Sequence, residues 1–243
     1  FKIIESKIIN NKNSYSITYS IIIICTIFIL ISLTTSGFFD RTEYIEVNSK
    51  KYSVIYDFDN KEKAAEILNK VDDNILKLKE FINNKFTEEY IATESKQFAK
   101  EDVLRKIKKR FNSTYTSESL KENYPKVAKS DVSYNLNKGS TIALCLRDYD
   151  DSEQFHEFNE IMFVSLHELA HSLNCNENVL MCGNSYGHDE MFWYIFKVLL
   201  ENAIECGVYK KKNYRENPVD YCSMGITYSP LYDRSLEDNY FYR

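Results

Sequence analysis

The segment His167-Glu168-Leu169-Ala170-His171 constrains the folding of this 243-residue chain more than any other. Residues four apart on an α-helix share a face one turn apart, so a helix here points both imidazoles the same way. Apolar residues Ile161, Met162, Val164, Leu166, Leu169, Ala170 and Leu173 surround the pair at helical spacing, which predicts a largely buried helix beginning near Phe158. Two histidines and a glutamate on such a helix need polar partners. A zinc ion is one such partner, with each nitrogen about 2.0 to 2.1 Å from the metal. Glu168 then lies beside the ion without binding it, where a general base for metal-activated water belongs; zinc lowers that water's pKa from 15.7 to about 7.

The chain has four histidines, and a third, His188, falls in Gly187-His188-Asp189 just before the apolar helical run 191–200. That position, at a helix N-terminus facing the first helix, makes His188 the expected third ligand, with Glu190 its competitor. A metzincin would carry Gly at 174 and His at 177; this chain has Asn174 and Glu177, which excludes that class. The fourth histidine, His156, lies in an acidic stretch and reads as a surface residue.

His-Glu-Leu-Ala-His followed by Gly187-His188-Asp189-Glu190-Met191-Phe192-Trp193 resembles the WLM and SprT-like zinc metallopeptidases. It is more similar still to membrane-anchored WLM-like proteins of large DNA viruses, which share segments like Asn137-Lys138-Gly139, Leu144-Cys145-Leu146-Arg147 and Asn217-Pro218-Val219-Asp220-Tyr221-Cys222. The resemblance spans roughly residues 50–235 and implies a zincin-like domain with His167, His171 and His188 as zinc ligands and Glu168 as catalytic acid/base. One departure is the stretch 174–186, longer than the family's usual link between the second and third ligands.

Residues 13–39 contain no charged side chain, and 21–31 is almost continuously apolar. A bilayer span needs about 20 apolar residues, so 17–37 is expected to be a transmembrane helix, with a cleaved signal peptide as the alternative. Lys2, Lys7 and Lys12 precede it, and Asp40, Glu43 and Glu46 follow. The positive-inside rule then places the N-terminus in the cytosol and the catalytic domain on the opposite side. The expected organisation is a tail (1–16), the span (17–37), a linker (38–48) and one peptidase domain (49–243).

The exterior part reads as α+β: a strand at 51–58, helices at 61–83 and 96–111, and a turn at Asn137-Lys138-Gly139 leading into a strand at 140–146. This last strand, just before the metal helix, is expected to form the sheet edge along which a peptide substrate is laid. Of six cysteines, Cys25 falls in the expected span, leaving Cys145, Cys175, Cys182, Cys206 and Cys222. An odd number leaves at least one unpaired; a Cys175–Cys182 disulfide and a fully reduced set are both open. Zinc binding by these cysteines is not expected, because no Cys-x-x-Cys pair occurs. Lys100, Arg105, Lys106, Lys108, Lys109 and Arg110 form a basic helix, but apolar residues interleave at helical spacing and the net charge is −5. The basic residues therefore read as a solvated face, and no nucleic-acid partner is expected.

The expected activity is hydrolysis of peptide bonds by a membrane-anchored zinc metallopeptidase acting on a peptide or protein substrate. Asp189 is a candidate to orient a ligand, and Tyr186, Tyr221 or Tyr228 to stabilise the oxyanion. The rival expectation is a non-catalytic viral or membrane structural protein retaining a zinc site. Glu168 argues against that rival, since a structural site has no use for a base beside the metal.

Overall fold

The computed structural model describes residues 19, 21–28, 42–94, 98–123, 132–136, 139–148, 154–174 and 187–238. Two compact units are present, Phe1–Arg41 and Thr42–Arg243. In the first, residues 21–28 are helical. Among the described residues no helix is long and apolar enough to cross a membrane. This corrects the expected transmembrane helix, and with it the single-pass membrane location and topology inferred from the flanking charges; most of 17–37 lies outside the described residues.

The second unit is built on a five-stranded mixed sheet. Its strands are β1 (Thr42–Val47), β2 (Lys50–Ile55), β3 (Leu120–Glu122), β4 (Tyr134–Leu136) and β5 (Thr141–Leu144), in the order β1-β2-β3-β5-β4. The β1–β2 and β4–β5 pairs are antiparallel, and β3 runs parallel to both β2 and β5. Strand β1 falls within the stretch read as linker. Strand β5 is therefore internal, not the edge expected from its place in the sequence; β4 takes the edge because the chain reverses through Gly139 and pairs β5 on its outer side. Gly139 has φ 98°, and a Cβ there would lie 2.8 Å from Ser172 Oγ, so only glycine lets this reversal pack against the following helix.

The helices are α1 (Lys61–Lys85), α2 (Glu88–Glu94), α3 (Phe98–Thr114), α4 (Phe158–Asn174), α5 (Glu190–Glu205) and the short α6 (Ser235–Asp238). In α1, residues Ala64, Leu68, Val71, Ile75, Leu78 and Ile82 recur at three- and four-residue intervals, and all are buried. Helix α4 starts at Phe158, as the sequence predicts, and is buried over most of its length. A hairpin, β6 (Val219–Tyr221) and β7 (Met224–Ile226), forms a separate two-stranded sheet.

The basic residues of α3 hold the fold together more than they face solvent. Arg110 is buried and donates to the Ser172 carbonyl, while Lys106 and Lys108 donate to the carbonyls of Asn174 and Phe86. Arg105 and Lys109 are exposed, and Arg105 pairs with Glu88.

Candidate metal centre

Helix α4 carries His167 and His171 one turn apart, and α5 is laid against it. The chain enters α5 through Gly187-His188-Asp189. Asp189 is the N-cap, its carboxylate accepting from the Phe192 amide at 2.7 Å and from the Asn174 side-chain amide at 3.0 Å. That cap ties the start of α5 to the end of α4 and brings His188 over the two α4 histidines. His188 Nε2 lies 3.0 Å and His171 Nε2 3.3 Å from His167 Nε2. One ring nitrogen from each of the three histidines falls within a sphere of mutual distances no larger than 4.8 Å.

This donor set fits zinc. Three nitrogens at 2.0 to 2.1 Å from a tetrahedral ion lie about 3.3 Å apart, close to the separations found. Burial and mutual repulsion hold the His167 imidazole well below its ordinary pKa. Burial, with the neighbouring His188, pushes His171 down to about 4, and burial also lowers His188. All three rings are thus kept unprotonated at neutral pH, the form in which imidazole binds a metal. Phe192 packs on the cluster with its centroid 4.3 Å from that of His171 and 4.9 Å from that of His167, which restricts how either ring turns. Glu190, the alternative third ligand, is the exposed first residue of α5 and does not belong to the cluster.

Glu168 is 6% exposed, and burial raises its carboxyl to about 8. Its backbone carbonyl accepts from the Asn135 side-chain amide at 2.7 Å, so edge strand β4 is pinned to the turn of α4 that bears the site. Beside His167 and Glu168 opens a cavity of about 220 Å³ walled by Phe163, Val164, Trp193 and Phe196 on the helices and by Tyr221 and residues 224–228 on the other side. The hairpin wall carries no metal-ligating or charged residue toward the site, and in the sequence it shows only as the shared segment 217–222 and two candidate tyrosines. The Asn217-Pro218 turn before an alternating segment was the available signal.

Of the oxyanion candidates, Tyr221 is fully buried and donates to the Cys145 carbonyl, whereas Tyr228 lines the cavity and donates to Asp233 Oδ2 at 2.7 Å. Tyr186 lies outside the described residues. His156 is not a surface residue: its side chain is 7% exposed, packed on Tyr221 and 3.0 Å from Cys222 Sγ. An antiparallel bridge between Arg147 and Phe155 brings their two segments together and carries His156 inward. Cys145 and Cys222 form a disulfide, while Cys206 is a free thiol; Cys175 and Cys182 lie outside the described residues.

A family model described as the WLM domain matches residues 94–218. Uncharacterized protein R325 of Acanthamoeba polyphaga mimivirus is 32% identical over 218 residues, covering 87% of this chain and 93% of that protein. Uncharacterized protein 136R of invertebrate iridescent virus 6 is 36% identical over 88 residues, covering 34% of this chain and 44% of its own. Among solved structures, a mutant of Wss1 from Saccharomyces cerevisiae superposes with a TM-score of 0.37 at 20% identity, over 64% of this chain and 92% of that one. The chain belongs to the WLM domain family, whose fold is metallopeptidase-like.

Proposed function

We propose that this chain is a zinc-dependent metallopeptidase in which His167, His171 and His188 hold the ion and Glu168 moves the proton. The observation that carries this reading is the convergence of three unprotonated imidazoles on one point, with a buried carboxyl on the adjacent residue of the same helix. Bound there, zinc supplies a Lewis acid that polarises the scissile carbonyl and makes hydroxide available at neutral pH. Glu168 takes the proton of the attacking water and delivers it to the leaving amine, a role worth about 10² to 10⁴ in rate. An adjacent cation favours the carboxylate over the protonated acid, reversing the upward push of burial.

Among the described residues β4 is the sheet edge next to α4, where an extended peptide could add as a further strand, and the apolar cavity beside Glu168 is suited to an apolar side chain of the substrate. Tyr228 lines the cavity, and for it to donate to a developing oxyanion its hydroxyl would have to turn away from Asp233.

The test is hydrolysis of a peptide library by the full chain, before and after a metal chelator and after zinc is restored. The expected result is cleavage lost with the metal and regained with it. Cleavage indifferent to the chelator, or none in zinc-loaded protein, overturns the reading in favour of a non-catalytic zinc protein.

A further inference from the structure

A second cluster of metal-binding side chains lies apart from the three histidines. Cys145 follows β5, Cys222 sits at the tip of the β6–β7 hairpin, and His156 lies on the segment leading into α4; one ligand atom of each falls within 4.8 Å of the others. Cys145 is fully buried, Cys222 is 4% exposed, and the His156 side chain is 7% exposed. Asp148 approaches from the rim, its Oδ1 3.5 Å from His156 Nε2, because the Arg147–Phe155 bridge pairs the two segments.

A disulfide accounts for the two sulfurs, and the imidazole stands against one of them. His156 Nε2 accepts from the Cys222 amide at 3.2 Å, and it also faces Cys222 Sγ at 3.0 Å. A disulfide sulfur carries no proton, so that contact sets lone pair against lone pair. A cation between them turns it favourable. Burial also lowers the His156 pKa and keeps the ring unprotonated, as a ligand requires.

We propose that Cys145, Cys222 and His156 form a second metal site when the two cysteines are in the thiol form, taking a thiophilic divalent ion, zinc foremost. Two thiolates and one imidazole supply three of the four positions of a tetrahedral zinc site, and Asp148, at the rim beside His156, swings inward to close the fourth. Each thiol gives up its proton as the ion binds. The sulfurs of such a site stand about 3.8 Å apart. The Cα–Cα separation of 6.5 Å, at the wide end of the disulfide range of about 4.4 to 6.8 Å, needs little backbone movement to reach it.

The placement explains what the site is for. Cys222 and Ser223 have φ of 51° and 62°, the two-residue turn geometry that Asn-Gly normally fills. Left-handed backbone at both positions is held against its own strain by what grips the Cys222 side chain. The same hairpin forms a wall of the cavity beside Glu168, so the site fixes that wall in the thiol state as the disulfide does in the oxidised state.

The experiment uses the full chain in both thiol states. A water-soluble phosphine with water converts the disulfide into two thiols and leaves as phosphine oxide. Zinc per chain is then counted, and cobalt(II) is substituted for zinc. Reduction should add about one zinc per chain and, in the cobalt form, a thiolate-to-cobalt charge-transfer band absent from oxidised protein. Cys222→Ser should remove the band and the added ion and leave the other ion in place; His156→Ala should weaken the added ion's binding at least tenfold. A negative result in wild-type protein is itself decisive, so a variant that misfolds does not end the test. No thiolate band and no added zinc in reduced protein overturns the proposal. If instead the band appears but oxidised protein holds no zinc, the three-histidine centre fails while this site stands.

Discussion

His188 Nε2 and His167 Nε2 lie 3.0 Å apart, although 21 positions separate the two residues and they belong to different structural elements. Both rings are neutral at neutral pH and each keeps a single N–H, so the contact is at most one hydrogen bond, whereas a bound cation satisfies both nitrogens at once. Helix packing sets this meeting: α4 presents His167, and the Asp189 cap fixes where α5 begins.

If that cap geometry selects the third ligand, His188→Ala should abolish zinc binding at this centre in oxidised protein, whereas Glu190→Ala should retain it. Zinc content of the two purified variants decides. Retention by His188→Ala would remove His188 from the ligand set.

Arg147 and Glu122 form an ion pair with both side chains 1% exposed, Nε to Oε1 at 2.8 Å, and Glu122 also accepts the Ile55 amide at 2.8 Å. The guanidinium lies between the Phe58 and Phe155 rings, 4.9 and 4.6 Å from their centroids. Removing one partner leaves a buried charge, so Arg147→Met should lower unfolding free energy by about 3–5 kcal/mol. The double variant Arg147→Met with Glu122→Leu should recover much of it. Urea denaturation of the three proteins checks the prediction; a single variant within about 1 kcal/mol of wild type would contradict it.

Several tyrosines are held above their ordinary pKa by burial. It pushes Tyr209 up to about 12, and Tyr52, Tyr115, Tyr214 and Tyr221 further in the same direction. Nearby Asp72, which accepts from both the Tyr52 and Tyr115 hydroxyls, adds to the shift there. A raised native pKa means the unfolded chain loses protons first. Stability is therefore full below pH 10 and falls as pH rises from there through the native pKa values. Absorbance at the tyrosinate band should show a group of tyrosines ionising only together with the loss of circular dichroism. Smooth titration of all nineteen tyrosines near pH 10 with structure intact would contradict this.

The site's residues were legible because a helix repeats every 3.6 residues: apolar spacing announced α1 and α4, and His167, Glu168 and His171 followed from α4 alone. His188 was legible through the apolar run that became α5. The sheet order was not, since nothing local in 140–146 reveals that β4 pairs outside it. His156 was misread because its acidic neighbours suggested solvent, while the partners that bury it, Tyr221 and Cys222, are more than sixty positions away. The uncharged stretch at 17–37 meets a composition criterion for a span, but among the described residues no helix is long and apolar enough to cross a membrane.

The most direct test of the account is casein or peptide-library cleavage by wild-type protein and Glu168→Gln, with zinc counted on the same samples. Glutamine is nearly isosteric with glutamate and cannot take a proton. The account predicts equal zinc and at least a hundredfold lower turnover for Glu168→Gln. Equal turnover in the two proteins, with zinc bound in both, would contradict it.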